Sequence, residues 1–179
     1  MPGGSSNSPS AWVQRWAGLI PAGGRVLDLA AGSGRHTRYL AGLRHPVEAL
    51  DIDIAPLAEL AALPGVALRR ADVEQGPWPY GDAEFAGIVV TNYLHRPLFP
   101  DLLRSLAHGG VLIYETFALG NERYGRPGNP NFLLLPGELL EAVRGKLRVV
   151  GYEDVLVIQP KSAAVQRICA VRPVSGGFR

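Results

Sequence analysis

The stretch VLDLAAGSGRHTRYLA, Val26 to Ala41, constrains this chain more than any other. An apolar run ends in an acid, turns on small residues and passes directly into a helical pattern. Val26, Leu27 and Leu29 suit a strand buried on both faces, as strands of parallel sheets are. Gly32 and Gly34 let the backbone approach a ligand more closely than a side chain would permit. The helix that follows then aims its free N–H groups at the same place. This loop is not the dinucleotide fingerprint G-x-G-x-x-G, because Thr37 stands where the third glycine belongs. Asp28, at the strand tip four residues before Gly32, suits a ligand carrying an amino group rather than a pyrophosphate.

The rest of the chain alternates apolar strand and amphipathic helix. A short helix capped by Ser10 and running to about Leu19 comes first, and Pro21 to Gly24 is a turn. Strands are then predicted at Arg25 to Ala30, Val47 to Asp51, Val66 to Ala71, Phe85 to Thr91 and Gly110 to Thr116. Helices are predicted at Arg35 to Leu43, Pro56 to Leu63 and Leu98 to Ala107. Residues 118–136 are rich in glycine, proline and asparagine and too long for an ordinary connection, which marks a lid or substrate loop. A helix at Pro136 to Arg144 precedes two strands, Leu147 to Val157 and Ala163 to Arg172, that read as an antiparallel hairpin. The pattern is α/β, with helices expected on both faces of a mostly parallel sheet.

Bulk properties narrow the class. At 179 residues and 47% hydrophobic content the chain supports one core. A single domain is expected over residues 11–173, with flexible tails at 1–10 and 174–179. The net charge of +2 is spread without a basic stripe, so no nucleic-acid partner is indicated. Cys169 is the only cysteine, which rules out internal disulfides and thiolate clusters. No run of eighteen apolar residues occurs, and MPGGSSNSPS lacks the basic start and apolar core of a signal peptide. A soluble protein of the reducing cytoplasm, without membrane partners, is the expectation. His45 and His108 have no metal-ligand spacing with other residues, and no metal is expected.

The glycine loop resembles the first motif of class I S-adenosylmethionine-dependent methyltransferases, an acid followed by x-G-x-G-x-G, here carried by Asp28, Ala30, Gly32 and Gly34. Ala30 departs from the family's first glycine but is small enough for the turn. The resemblance implies a Rossmann-like, seven-stranded, mostly parallel sheet of order 3-2-1-4-5-7-6 with the last strand antiparallel, and S-adenosyl-L-methionine as cofactor. It assigns Asp51, with Ile52 beside it, to the ribose hydroxyls, and leaves Asp53 to cap the following helix. It places Asp72 at the exocyclic amine of adenine, with the Val73 backbone N–H next to it. Trp78 reads as loop packing.

The reaction edge is expected at VVTNYLHRPLF, where the fourth strand ends and crevices form. Asn92 is a cofactor contact there. Methyl transfer is an in-line displacement, so the protein positions two reactants and deprotonates an acceptor that is not already nucleophilic. His95 has the resting pKa of such a base, against its plain reading as a helix-entry residue, and Tyr93 is placed to orient the methyl or the acceptor. Arg35, His36, Arg96, Glu115 and Arg126 are the candidate substrate contacts. The segment is not N-P-P-Y, which argues against amino-methylating nucleic-acid enzymes.

Within the superfamily, GSGRHTRYLA, NYLHRPLF and YETFALGNERYGRPGNPNFLLLPGELL are similar to the small bacterial tellurite-resistance-type, TehB-like methyltransferases. That similarity implies a small-molecule acceptor such as a thiol, a carboxylate or a chalcogen oxyanion. The competing readings are an NAD-binding Rossmann oxidoreductase and a non-catalytic module that binds S-adenosylmethionine.

Overall fold

Apolar residues alternate along the strands and sort the interior into two halves. In β1 (Val26–Leu29) every residue is buried, with Leu27 and Leu29 in one cluster and Val26 in another. β4 (Phe85–Thr91) repeats this with Ile88 and Val90 against Val89, and β5 (Leu106–Phe117) with Leu112 and Tyr114 against Val111 and Ile113. Successive side chains of a strand point to opposite faces, so a run apolar at every position must be covered on both. One face is covered by α1 (Ala11–Trp16) and α2 (Arg35–Gly42), through Trp12, Val13 and Leu40. The other is covered by α3 (Phe99–Ser105) and α4 (Glu138–Val143), through Leu102, Leu103, Leu139 and Val143.

The structure, a computed structural model, describes residues 8–174. With β2 (Val47–Asp51), β3 (Val66–Arg70), β6 (Arg148–Val157) and β7 (Ala163–Val171), the seven strands form one sheet of order β3-β2-β1-β4-β5-β7-β6. β7 pairs antiparallel with both β5 and β6, and all other neighbours pair in parallel. This is the Rossmann-like architecture expected from the sequence. The chain leaves β1 on one side to build β2 and β3, then returns to its other side as β4. Loops leaving β1 and β4 therefore diverge and open a crevice at the carboxyl ends of the strands.

Three elements differ from the sequence reading in winding or bounds. The segment expected as a helix over Pro56 to Leu63 is a 3₁₀ helix, Ala55–Ala62. Leu57 and Leu60 are three residues apart and fully buried, and three residues per turn put both on one face. The helix expected from Leu98 begins as a 3₁₀ turn at Arg96–Leu98 and ends at Ser105. β5 then starts at Leu106 rather than Gly110, because Leu106 already pairs with Phe85 ahead of a register shift.

Most of the two expected tails, residues 1–7 and 175–179, lie outside the described residues. Ser8 to Ser10 are described and lie against the cavity discussed below. Among the described residues no helix is long and apolar enough to cross a membrane.

Candidate functional site

The glycine loop turns through three left-handed positions, and the end of β4 through a fourth, for distinct reasons. Ala30 has φ +54° and carries a methyl group in a conformation that normally favours glycine. Gly34 has φ +77°, and a Cβ there would stand 2.2 Å from Leu60 Cδ1, so this glycine lets the loop press onto the 3₁₀ helix. Gly32, at φ +57°, has no atom within 4 Å of where its Cβ would be. Its neighbours therefore do not require glycine, and its open side faces the crevice. Asn92, at the end of β4, has φ +54°, a conformation asparagine tolerates better than most residues.

Asp28 does not reach the open side of the loop. It is 1% exposed, and its Oδ2 accepts from the Thr37 hydroxyl at 2.6 Å. Burial pushes its pKa up to about 6, against the Thr37 hydrogen bonds that lower it. The expected contact with a ligand amino group is thus replaced by a brace between β1 and the first turn of α2. Thr37, wholly buried, is a functional support that the sequence reading missed; its available signal was a polar residue on the inner face of a short helix.

The acids on the next two strands do face outward. Asp51 Oδ2 accepts from the Gly32 N–H at 2.8 Å and Oδ1 from the Asp53 N–H at 3.1 Å. An ionised carboxylate has about four acceptor sites, so two remain for a ligand. Asp53 Oδ1 accepts from the Ala55 N–H and helps start the 3₁₀ helix. Ile52, beside Asp51, is 59% exposed, an apolar side chain left largely open. Asp72 Oδ1 accepts from the N–H groups of Glu74 and Gln75 at 3.0 Å each, which leaves Oδ2 unengaged. Val73 is buried in the core next to it. Trp78 donates to Ser105 Oγ and packs edge-on against Tyr80, as loop packing requires.

Two cavities open where β4 and β5 end, and Asn92 lines both. The smaller, about 260 Å³, is lined by Tyr93, Glu74, Thr116 and Phe132 among others. Glu74 was missed from sequence: it accepts the Tyr93 hydroxyl at 3.0 Å and stands 3.8 Å from His95 Nδ1. Burial and the Glu74 carboxylate raise the pKa of Tyr93, so its hydroxyl keeps its proton. His95, the expected base, lines neither cavity, though its side chain is partly exposed beside Glu74.

The larger cavity, about 560 Å³, runs from Arg35 and Asn92 to the turn between β6 and β7. Arg35, Glu115 and Arg126, all expected from sequence, line it. Its floor is a network. Glu115 Oε1 accepts from the Ser10 hydroxyl at 2.6 Å and Oε2 from Arg167 Nη1 at 3.0 Å. Arg167 also donates to Glu153 and lies 4.9 Å over the Trp12 ring. Ser10, expected only as a helix cap, and Arg167 were not expected in this network, because their partner lies 105 and 52 residues away.

His36 and Arg96 depart from their expected substrate roles. His36 is 2% exposed and accepts from the Ser10 N–H through Nε2 at 3.0 Å. Neutral His36 therefore carries its proton on Nδ1, 3.3 Å from Thr91 Oγ1. Burial and the charge of Arg35 lower its pKa to about 4. Arg96 donates twice to Glu138 and also to the carbonyls of Asn131 and Leu133, at 2.9 Å each. Four of its five N–H donors are thus engaged by the expected lid and by α4, which makes Arg96 chiefly a brace of that loop. Cys169 is buried, and its thiol is pushed up to about 12, so it supplies no nucleophile. Among the described residues no group of His, Cys, Asp and Glu is arranged to hold a metal ion.

No family model matches the sequence, and no curated protein matches it. Solved structures do match. An S-adenosylmethionine-dependent methyltransferase from Mesorhizobium loti superposes with a TM-score of 0.70 at 18% identity, over 91% of this chain and 98% of that one. The 1,6-didemethyltoxoflavin-N1-methyltransferase of Burkholderia thailandensis, with 1,6-didemethyltoxoflavin and S-adenosylhomocysteine bound, gives 0.64 at 21% identity over 91% and 79%. TehB from Haemophilus influenzae gives 0.69 at 19% identity, over 90% of this chain and 61% of TehB. TehB thus stands among several structures of similar score. What these share with the chain is its fold, the α/β architecture of class I S-adenosylmethionine-dependent methyltransferases.

Proposed function

We propose that this chain is an S-adenosylmethionine-dependent methyltransferase acting on a small-molecule acceptor. The observation that carries the reading is the set formed at neighbouring strand ends by open Gly32, Asp51 with two spare acceptor sites, exposed Ile52 and the Oδ2 of Asp72, with Asn92 at the end of the next strand, β4, lining a 560 Å³ cavity. Those residues fit an adenosine: paired hydroxyls for Asp51, an apolar ring face for Ile52 and an exocyclic amine for Asp72. When bound, the cofactor supplies a methyl group on a positively charged sulfur.

The chain's own residues would then position rather than activate. Asn92, at the junction of both cavities, is placed between donor and acceptor. Tyr93 keeps its proton, donates it to Glu74 and offers its hydroxyl oxygen as an orienting acceptor. The larger cavity offers no free base, since both oxygens of Glu115 are engaged. An acceptor bound there must arrive already nucleophilic, as a thiolate, carboxylate or chalcogen oxyanion does. This fits the TehB-like similarity of the sequence.

Isothermal titration with S-adenosylmethionine, S-adenosylhomocysteine and NAD tests the donor. Both sulfur compounds are expected to bind and NAD is not; the reverse outcome would promote the oxidoreductase reading. Asp51→Ala is expected to weaken S-adenosylhomocysteine by at least about tenfold, because lost charge-assisted bonds to hydroxyls are worth roughly 1.5–3 kcal/mol. Unchanged affinity would remove Asp51 from the site. Labelled methyl release to a panel of thiols, carboxylates and oxyanions separates the enzyme from a silent binding module.

A further inference from the structure

The larger cavity has a charge pattern that the methyl donor does not explain. At its outer end two cations come from separate segments, Arg126 from the loop after β5 and Lys161 from the β6–β7 turn. The Lys161 ammonium lies 3.1 Å from where a Gly125 Cβ would stand, so the turn leans directly on the residue before Arg126. Both side chains belong to exposed residues, and neither forms an ion pair among the described residues. Like charges gathered at one opening repel, and an anion between them relieves this. The cavity's one carboxylate, Glu115, is already balanced by Arg167, so it does not cancel the field.

Register sets the scale. Asn92 donates its N–H to the carbonyl of Glu115, and Glu115 pairs across the sheet with Arg167. The β6–β7 turn begins beyond Ala163, four strand residues further out than Arg167, or about 13 Å at the rise of an extended chain. Phe117, Val157, Ala163 and Val165 give the cavity an apolar strip of wall, beside polar residues such as Asn121 and Ser162. A lone oxyanion fills only a small part of 560 Å³, a volume typical of sites for drug-sized organic molecules.

We infer that the larger cavity binds an elongated organic anion whose carboxylate-like group is held by Arg126 and Lys161, with an apolar body reaching down to Asn92. The anionic group is a recognition handle, remote from the atom that is methylated. This narrows the acceptor class to organic anions and sets aside a free chalcogen oxyanion. Calling the bound molecule an acceptor rests on the methyltransferase reading; the anion site itself does not.

Octanoate and octanamide, equal in body and different in charge, are the probes. Titrated into the full chain with and without S-adenosylhomocysteine, octanoate is expected to bind at least about tenfold more tightly, and added salt should weaken octanoate alone. In the Arg126→Gln/Lys161→Gln variant octanoate affinity should fall about tenfold, with octanamide, S-adenosylhomocysteine and the melting temperature unchanged. Equal binding of acid and amide, failure of octanoate to bind, or an unaffected variant would each overturn the inference. The two readings fail separately: octanoate bound without S-adenosylhomocysteine affinity sinks the methyltransferase, and the converse sinks only the anion site.

Discussion

Beneath the glycine loop, Asp28 and His36 titrate in opposite senses within the same pH range. His36 is held neutral, with a pKa lowered from 6.5 to about 4, so its contribution to stability is complete above 6.5 and is lost as pH falls toward 4. Asp28 is raised from 3.8 to about 6, so its contribution is complete below 3.8 and is lost as pH rises through 6. Between these limits the folded state lacks one proton at His36 and holds an extra one at Asp28, and the two slopes oppose each other. Asp28→Asn keeps an acceptor for Thr37 and removes one slope. Chemical denaturation of this variant is expected to show stability rising, relative to the parent, by about 1 kcal/mol per unit as pH increases through about 5. Parallel pH profiles would show that Asp28 is ionised in the fold throughout. The sequence identified both residues as part of the loop, yet their orientation rests on Thr37 and Ser10, which choose an inward face for each.

Among the elements, the loop between β5 and α4 is where local reading and packing part most. Its length and its glycines and prolines marked a functional loop, but not what holds it. Arg96, from the 3₁₀ turn after β4, ties the Asn131 and Leu133 carbonyls and Glu138 together. Arg96→Ala removes the donor to the Asn131 and Leu133 carbonyls, while Glu138 keeps the Leu135 N–H, and is expected to cost about 1 to 2 kcal/mol of stability. Hydrogen exchange should rise over residues 129–135 while the central strands stay protected. A variant with unchanged exchange and a raised KM would restore Arg96 to substrate binding. A similar gap separates reading from packing at Ala55–Ala62, where the leucine spacing was visible but the burial that selects a 3₁₀ winding was not.

At the scale of the whole molecule, the crevice exists because the sheet reverses direction beside β1, so any ligand seated there bridges segments far apart in sequence. A ligand that binds only the folded state stabilises it by about 2.7 kcal/mol at a hundredfold excess over Kd. For a domain of this size that is roughly 5 to 10 °C in Tm. Thermal unfolding with S-adenosylhomocysteine should show that shift, and NAD at equal concentration should show none. The order of elements, the strand-end acids at Asp51 and Asp72 and the turning glycines were all legible in the chain, because strand burial and turn chemistry are written in neighbouring residues. Which polar side chains stay open to a ligand was not. Asp28, His36 and Arg96 are bound by partners, while Asp51, Asn92 and Arg126 remain at the crevice. Those partners are segments that meet only when the sheet closes, and a hydrogen bond such as Ser10 to Glu115, 105 residues apart, leaves no local trace in either segment.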